Sequence, residues 1–180
     1  MARRIRLTDF QRALSERLAQ AAQRAVATGN RLGVASGSEY WLLRLDQAGE
    51  ILFLPEIQEV PLTRSWFRGV ANVRGHLMGV VDWSEFRGEA PTPLTYRARL
   101  VLFSERLAVP GALLVGQVAG LRSLEDMQPE PTETPEPGDQ SSSPAWIGAR
   151  YRDGEGRLWR ELDMAALVRE PAFLNIAGVC

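Results

Sequence analysis

The apolar positions of this chain gather in short runs, not in long helical stripes. From residue 38 onward seven such segments follow one another. They are "EYWLLRL" (39–45), "EILFLPEIQEV" (50–60), "HLMGVVDW" (76–83), "RARLVLFS" (97–104), "ALLVGQVAGL" (112–121), "AWIGARYR" (145–152) and "GRLWREL" (156–162). Each is rich in β-branched, leucine and aromatic residues, and turn-forming clusters separate them. No helix of any length fits between them, which argues against alternating βαβ units and a doubly wound sheet. The pattern predicts a mainly β protein built as small antiparallel barrels. Two connections carry their own signals. "DQAG", before residue 50, reads as a hairpin-like break containing Gly49, and "DGEG" joins the last two segments as a strong turn.

Helical spacing is confined to the two ends. Thr8 and Gln11 form a capping-box pattern, in which each side chain satisfies a free backbone N–H. Phe10, Leu14, Leu18, Ala21, Ala22 and Ala25 then share one face, Arg12, Arg17, Gln20 and Arg24 the other, and Gly29 offers a stop. That apolar face is small and alanine-rich, which suits docking on its own domain or on a partner better than insertion into lipid. Near the C-terminus Asp163 can cap "MAALVRE", which Pro171 would end. Between the ends, "EDMQPEPTETPEPGDQSSSP" (125–144) has five prolines, several acids and almost nothing apolar. Such a segment cannot bury enough surface to offset the entropy of ordering, so residues 126–144 are expected to be a flexible loop across an extended hairpin.

Composition narrows the chemistry. The formal net charge of −1 gives no general reason to expect nucleic acid or an anionic membrane as partner. All 21 basic residues are arginine. With one cysteine, Cys180, and one histidine, His76, no metal site built from Cys and His is expected. The opening "MARRIRLTDF" has no apolar core behind its arginines, so export is not expected and a cytoplasmic protein is. Gly69, Gly75 and Gly79 do not make a phosphate loop, because no Gly-Lys-Ser/Thr follows and the chain has no lysine. A hydrolytic triad would need His76, which opens a strand, and no G-x-S-x-G turn exists. The acid pairs Glu56 with Glu59 and Asp82 with Glu85 have spacings common in any soluble chain, and Asp82 more naturally ends a strand and caps "SEF". No catalytic residues, no metal ligands and no cofactor are therefore expected, and an interaction module fits best.

The stretch "EIQEV" followed by "WFRGVANVRGHLMGVVDW" resembles the CheW family of chemotaxis coupling proteins. The signature runs through Ile57, Glu59, Val60, then Gly69, Val70, Asn72, Arg74, Gly75, and finally Val81 and Asp82. "GALLVGQVAGLRSLEDM" and "RLWRELDMAALV" match the family in outline, so the resemblance covers about residues 38–170. Together with the N-terminal extension, "FRGVANVRG" is most similar to PilI-type members, which serve pilus chemosensory arrays. The resemblance implies two small five-stranded SH3-like barrels with an N-terminal and a short C-terminal helix. Residues 1–36 would be the helical extension and 37–180 the CheW-like domain. Within it, subdomain 1 would span about 37–93, subdomain 2 about 94–162, and the helix about 163–170. It also implies a non-catalytic adaptor joining the cytoplasmic tip of a chemoreceptor to the regulatory domain of a CheA-type histidine kinase. The receptor tip would lie in an apolar groove between the subdomains. Carried over by position, Ile57, Glu59, Val60, Asn72, Arg74 and Gly75 are the expected partner-binding residues, with Glu59 and Arg74 a family acid–arginine pair near that groove. Such a pair either pins the connection to its strand or offers the guanidinium fork to receptor acids and amides. The alternatives are a free-standing SH3-like interaction module without kinase or receptor contact and, more distantly, a carboxylate enzyme using Glu56, Glu59 or Asp82.

Overall fold

The structure, a computed structural model, describes residues 29–131 and 143–178. The expected N-terminal helix and most of the 126–144 loop lie outside those residues. Twelve strands follow in chain order: β1 (Asn30–Ser36), β2 (Glu39–Arg44), β3 (Ala48–Phe53), β4 (Ile57–Gln58), β5 (Phe67–Val73) and β6 (His76–Asp82), then β7 (Arg99–Phe103), β8 (Gly111–Val115), β9 (Gln117–Ser123), β10 (Gln128–Glu130), β11 (Ile147–Arg152) and β12 (Leu158–Leu162). Three one-turn helices accompany them, α1 (Trp83–Phe86), α2 (Met164–Leu167) and α3 (Pro171–Leu174). The mainly β architecture is the one the apolar runs predict.

The strands form two six-stranded sheets, ordered β10-β11-β12-β2-β1-β9 and β3-β7-β8-β6-β5-β4. In each, the two edge strands are consecutive in the chain: β3 and β4 are joined by residues 54–56, β9 and β10 by 124–127. A flat sheet of six strands would hold its edges roughly 24 Å apart, whereas these links reach at most about 14 and 17 Å. Both sheets must therefore roll up. No ladder joins the edges among the described residues, so each is a rolled SH3-like sheet and not a closed barrel.

Rolling gives each sheet an inside and an outside, and both are apolar along the central strands. On β7, Leu100 and Leu102 point into the roll of the second sheet, while Val101 and Phe103 face the first. On β8 the same alternation sends Ala112 and Leu114 inward, and Leu113 and Val115 across. On β2, Leu42 faces the roll interior with Trp159 and Met127, while Trp41 and Leu43 face the other sheet. This is why "WLL", "LVLF" and "ALLV" read as continuous apolar runs. Three cores result, one inside each roll and the largest shared between them. At about 1.5–3 kcal/mol for each large side chain fully buried, the shared core is what holds the two rolls together.

Several sequence expectations change. "DQAG" does not make a hairpin, because β2 pairs with β1 and β12, while β3 pairs with β7 in the other sheet. Gln47 staples this crossing: its Nε2 donates to Asp163 Oδ1 at 3.0 Å, and its Oε1 accepts from Met164 N at 2.9 Å. The chain crosses back at Gly116, in the middle of the apolar run 112–121. The sheets are thus nested, with β3–β8 inserted between β2 and β9, and do not divide sequentially near residue 93. Each has six strands, not five, because β1 lies within the expected helical extension and β5 within the glycine-rich connection. Pro171 starts α3 where it was expected only to end a helix. The "DGEG" hairpin is present, with Tyr151 opposite Trp159, whereas β10 lies within the stretch expected to be a flexible loop: residues 128–130 form a strand antiparallel to β11.

The two Asp caps behave as the sequence indicates. Asp163 Oδ1 accepts from Ala165 N and Ala166 N. Asp82, fully buried, accepts from Ser84 N at 3.1 Å, Glu85 N at 3.3 Å, Thr92 N at 2.7 Å and Thr92 Oγ1 at 2.6 Å. One carboxylate so fixes both the α1 turn and the connection leaving it. Replacing Asp82 with alanine strands those donors in the interior. Urea unfolding of Asp82→Ala is expected to show a loss of about 2–4 kcal/mol relative to the parent chain.

Candidate functional site

The six partner-binding residues expected from the sequence do not form one cluster. Ile57 and Gln58 pair with Ala71 and Val70, which places Glu59 opposite Gly69. The backbones are unusually close there: a Cβ on Gly69, whose φ is 123°, would lie 2.0 Å from Gln58 O and 2.9 Å from Glu59 Cα. Only glycine allows that approach. Ile57 is half-buried, while Glu59 and Val60 are exposed and line a shallow pocket of about 290 Å³ with Thr63, Arg64, Phe67 and Arg68.

Asn72, Arg74 and Gly75 lie at the other end of β5. Val73 pairs with His76, so Arg74 and Gly75 are the two central residues of a tight hairpin. Their φ values of 53° and 87° are both positive, as a type I′ turn requires, and Asn72 Oδ1 accepts from Gly75 N at 2.8 Å. Arg74 does not pair with Glu59. It lies five residues along β5 from Gly69, a separation of roughly 16 Å, too far for an ion pair. Its Nη2 instead donates to Glu50 Oε1 of β3 at 2.6 Å, a contact that links the hairpin tip to the opposite edge of the rolled sheet. Both side chains are well exposed, and Leu77 beside them is 66% exposed. The tip is thus a separate surface of one arginine, one acid and one exposed leucine.

Between the two sheets runs a third feature, a cleft where the resemblance implies a groove between the subdomains, but none of the six expected residues lines it. A cleft of about 740 Å³ is lined by Trp41, Trp66, Phe86 and Trp146, with Glu39, Arg64, Arg87, Glu89, Arg160 and Glu170 around them. Its wall is a continuous aromatic stack. Trp83 meets both Trp41 and Trp146 edge-on at 5.1 Å, Phe86 meets Trp66 at 5.1 Å, and Phe173 lies parallel to Trp66 at 6.3 Å. Four of the five tryptophans, Trp41, Trp66, Trp83 and Trp146, belong to this stack.

Arg87 organises the cleft electrostatically. Its side chain is only 6% exposed and sits over the faces of Trp41 at 4.8 Å and Trp83 at 5.3 Å. Nε donates to Trp83 O at 3.0 Å, Nη2 to Ser36 O at 2.9 Å, and Nη1 pairs with Glu39 and with Glu89 at 3.0 Å. Burial pushes the guanidinium's pKa down, and Glu89 and Glu39 push it back up. An arginine remains charged under such shifts. Glu39 also holds Arg160 at 3.2 Å, so the network ties α1 of the second sheet to β2 and β12 of the first. Among the described residues, no group of three or more His, Cys, Asp and Glu is placed to hold a metal ion, and no helix is long and apolar enough to cross a membrane.

The two arginines separate structure from surface. Arg87→Ala leaves Glu39 only Arg160 and Glu89 only its Ser38 and Ser84 contacts. It also removes the donors to Trp83 O and Ser36 O and uncovers two tryptophan faces, so denaturant unfolding is expected to register a loss of about 3 kcal/mol. Arg74→Ala removes an exposed pair and is expected to change stability by no more than about 1 kcal/mol in the same assay.

Comparison with known proteins fits this geometry. The family model described as "CheW-like domain" matches residues 31–172. Protein PilI from Pseudomonas aeruginosa is 30% identical over 159 residues, covering 87% of this chain and 85% of that protein. The crystal structure of scaffolding protein TtCheW from Thermoanaerobacter tengcongensis superposes with a TM-score of 0.60 at 16% identity, over 76% of this chain and 89% of that one. Its likeness is one of fold. With the paired rolled sheets, the "GVANVRG" hairpin and a family match over most of its length, this chain belongs to the CheW family of chemotaxis scaffold proteins.

Proposed function

We propose that this chain is a non-catalytic cytoplasmic coupler that holds a chemoreceptor tip and a CheA-type histidine kinase together. The observation that carries the reading is the division of the candidate residues between two distant surfaces. A bridging protein needs two sites that can be occupied at once. The β4–β5 side, with Ile57, Glu59, Val60 and Arg64, adjoins the inter-sheet cleft, since Arg64 lines both that cleft and the Glu59 pocket. An aromatic cleft with charges around it suits an amphipathic helix, so this side is assigned to the helical receptor tip. The hairpin tip, with Asn72, Arg74 and Gly75, is left free for the kinase's regulatory domain. There the Arg74 fork can exchange Glu50 for an acid or amide of the partner. The similarity to Protein PilI favours an array that controls pilus-based twitching motility.

An isolated SH3-like module without kinase or receptor contact would not need two separated surfaces. Two substitutions test the assignment. Glu59→Arg is expected to weaken binding of a soluble receptor-tip fragment by about 10-fold or more and to spare the kinase regulatory domain; Arg74→Ala is expected to do the reverse. Isothermal titration of each variant with each partner reads this directly. Failure of the parent chain to bind either partner while folded would sink the coupling assignment.

A further inference from the structure

The β4–β5 connection, residues 59–66, belongs to no ladder of its own sheet, yet its shape is closely specified. Leu62 has a φ of 62°, a left-handed setting that a side chain disfavours, and the side chain is 75% exposed. Packing of Leu62 therefore does not explain why the strain is tolerated. The restraint comes from the far end of the chain. Phe173 is buried in the shared core against Trp66, Phe86 and Phe103. From that anchor residues 174–178 run back along the loop. Gly178 N donates to Leu62 O at 2.8 Å, and Arg64 N donates to Ile176 O at 2.8 Å. Thr63 and Ala177 form an antiparallel bridge, and Arg64 Nε donates to Asn175 O at 2.9 Å. These contacts grip the loop at its strained residue and at the two residues that follow it.

The apolar side chains of this segment do not enter the core. Leu174 is 57% exposed and Ile176 is 38% exposed; with Phe67 and Val109 they line an apolar pocket of about 130 Å³. A segment serving only to close the core would turn those side chains inward. Here the backbone is given to the loop, and the side chains extend the apolar surface beside it.

We infer that residues 174–178 are a positioning strap, which holds the 59–66 loop, and with it Glu59, Val60 and Arg64, in the shape that the helical partner recognises. The inference rests on the reading of that loop as the receptor-tip side. Backbone strain that is held by surrounding contacts is a form of preorganisation: the cost of ordering the loop is met on folding and not on binding. The strap also spans the two halves of the molecule, since it follows β12 of the first sheet and ends on a loop of the second.

Two variants test this. One ends at Leu174, keeping the Phe173 anchor; the other, Gly178→Pro, keeps the full chain and removes the donor to Leu62. The Phe67 N–H, at the start of β5, donates back to Arg64 O of the loop at 3.0 Å and so reports loop order without any partner. Its hydrogen exchange is expected to quicken at least 10-fold in both variants, while amides of β7 and β8 keep their rates. Affinity for a soluble receptor-tip fragment is expected to fall about 5-fold to 30-fold. Unchanged exchange at Phe67 overturns the inference whatever the partner does. Unchanged or tighter binding by the variants also overturns it, and tighter binding would make the segment a cover that the partner displaces. If the parent chain itself binds no receptor tip, the functional assignment fails, and the exchange experiment still judges the strap.

Discussion

Everything in this molecule follows from a constraint on its edge strands. Because β3 and β4, like β9 and β10, are neighbours in the chain but opposite edges of their sheets, neither sheet can lie flat. Rolling buries one face of each, and the alternation of side chains on β2, β7 and β8 leaves a second apolar face outside the roll. That outer face can be covered only by the other roll. The shared core, with Trp41, Trp83, Trp146, Leu113, Val115 and Phe173, is the outcome.

The two rolls solve this problem in the same way. Read from edge to edge, each has two antiparallel pairs, a central parallel pair, and two antiparallel pairs again; the parallel pairs are β2 with β12 and β6 with β8. In each, one strand of the parallel pair leads into a one-turn helix through a capping aspartate, Asp82 at the end of β6 before α1 and Asp163 just after β12 before α2. The capped turns carry Trp83 and Phe86 from one side, and Met164 and Leu167 from the other, into the shared core. Charge then locks the junction. Arg87, just beyond α1, reaches Glu39 of the first sheet, and Gln47 at the crossing reaches Asp163.

Local features were legible in the sequence and pairings were not. The strand character of most of the seven apolar runs, both Asp caps, the "DGEG" turn and the strand-opening position of His76 depend on neighbours close in sequence, which the residues themselves declare. Sheet membership depends on which apolar face meets which. "DQAG" resembles a hairpin turn because nothing local reveals that Gln47 is held by Asp163, 116 residues away. The run 112–121 hides a change of sheet at Gly116, since both sides of the break are equally apolar. The "FRGVANV" strand looked like a connection because its glycine serves a close approach to Gln58. The Glu59–Arg74 pairing failed for a related reason. A shared motif says that two residues matter; only the register of β4 on β5 says that they lie roughly 16 Å apart. The lining of the cleft was not legible because its residues come from six separate stretches, and the tryptophans signal aromatic burial without saying where they converge.

In the proposed coupler two partners occupy the molecule together, one against the β4–β5 side and the cleft, the other at the β5–β6 hairpin tip. Sedimentation velocity on an equimolar mixture of the chain, a soluble receptor-tip fragment and a kinase regulatory domain tests it most directly. A single complex containing all three components, heavier than either binary complex, is the predicted result. Two binary complexes that compete, with no heavier species as concentrations rise, would contradict it.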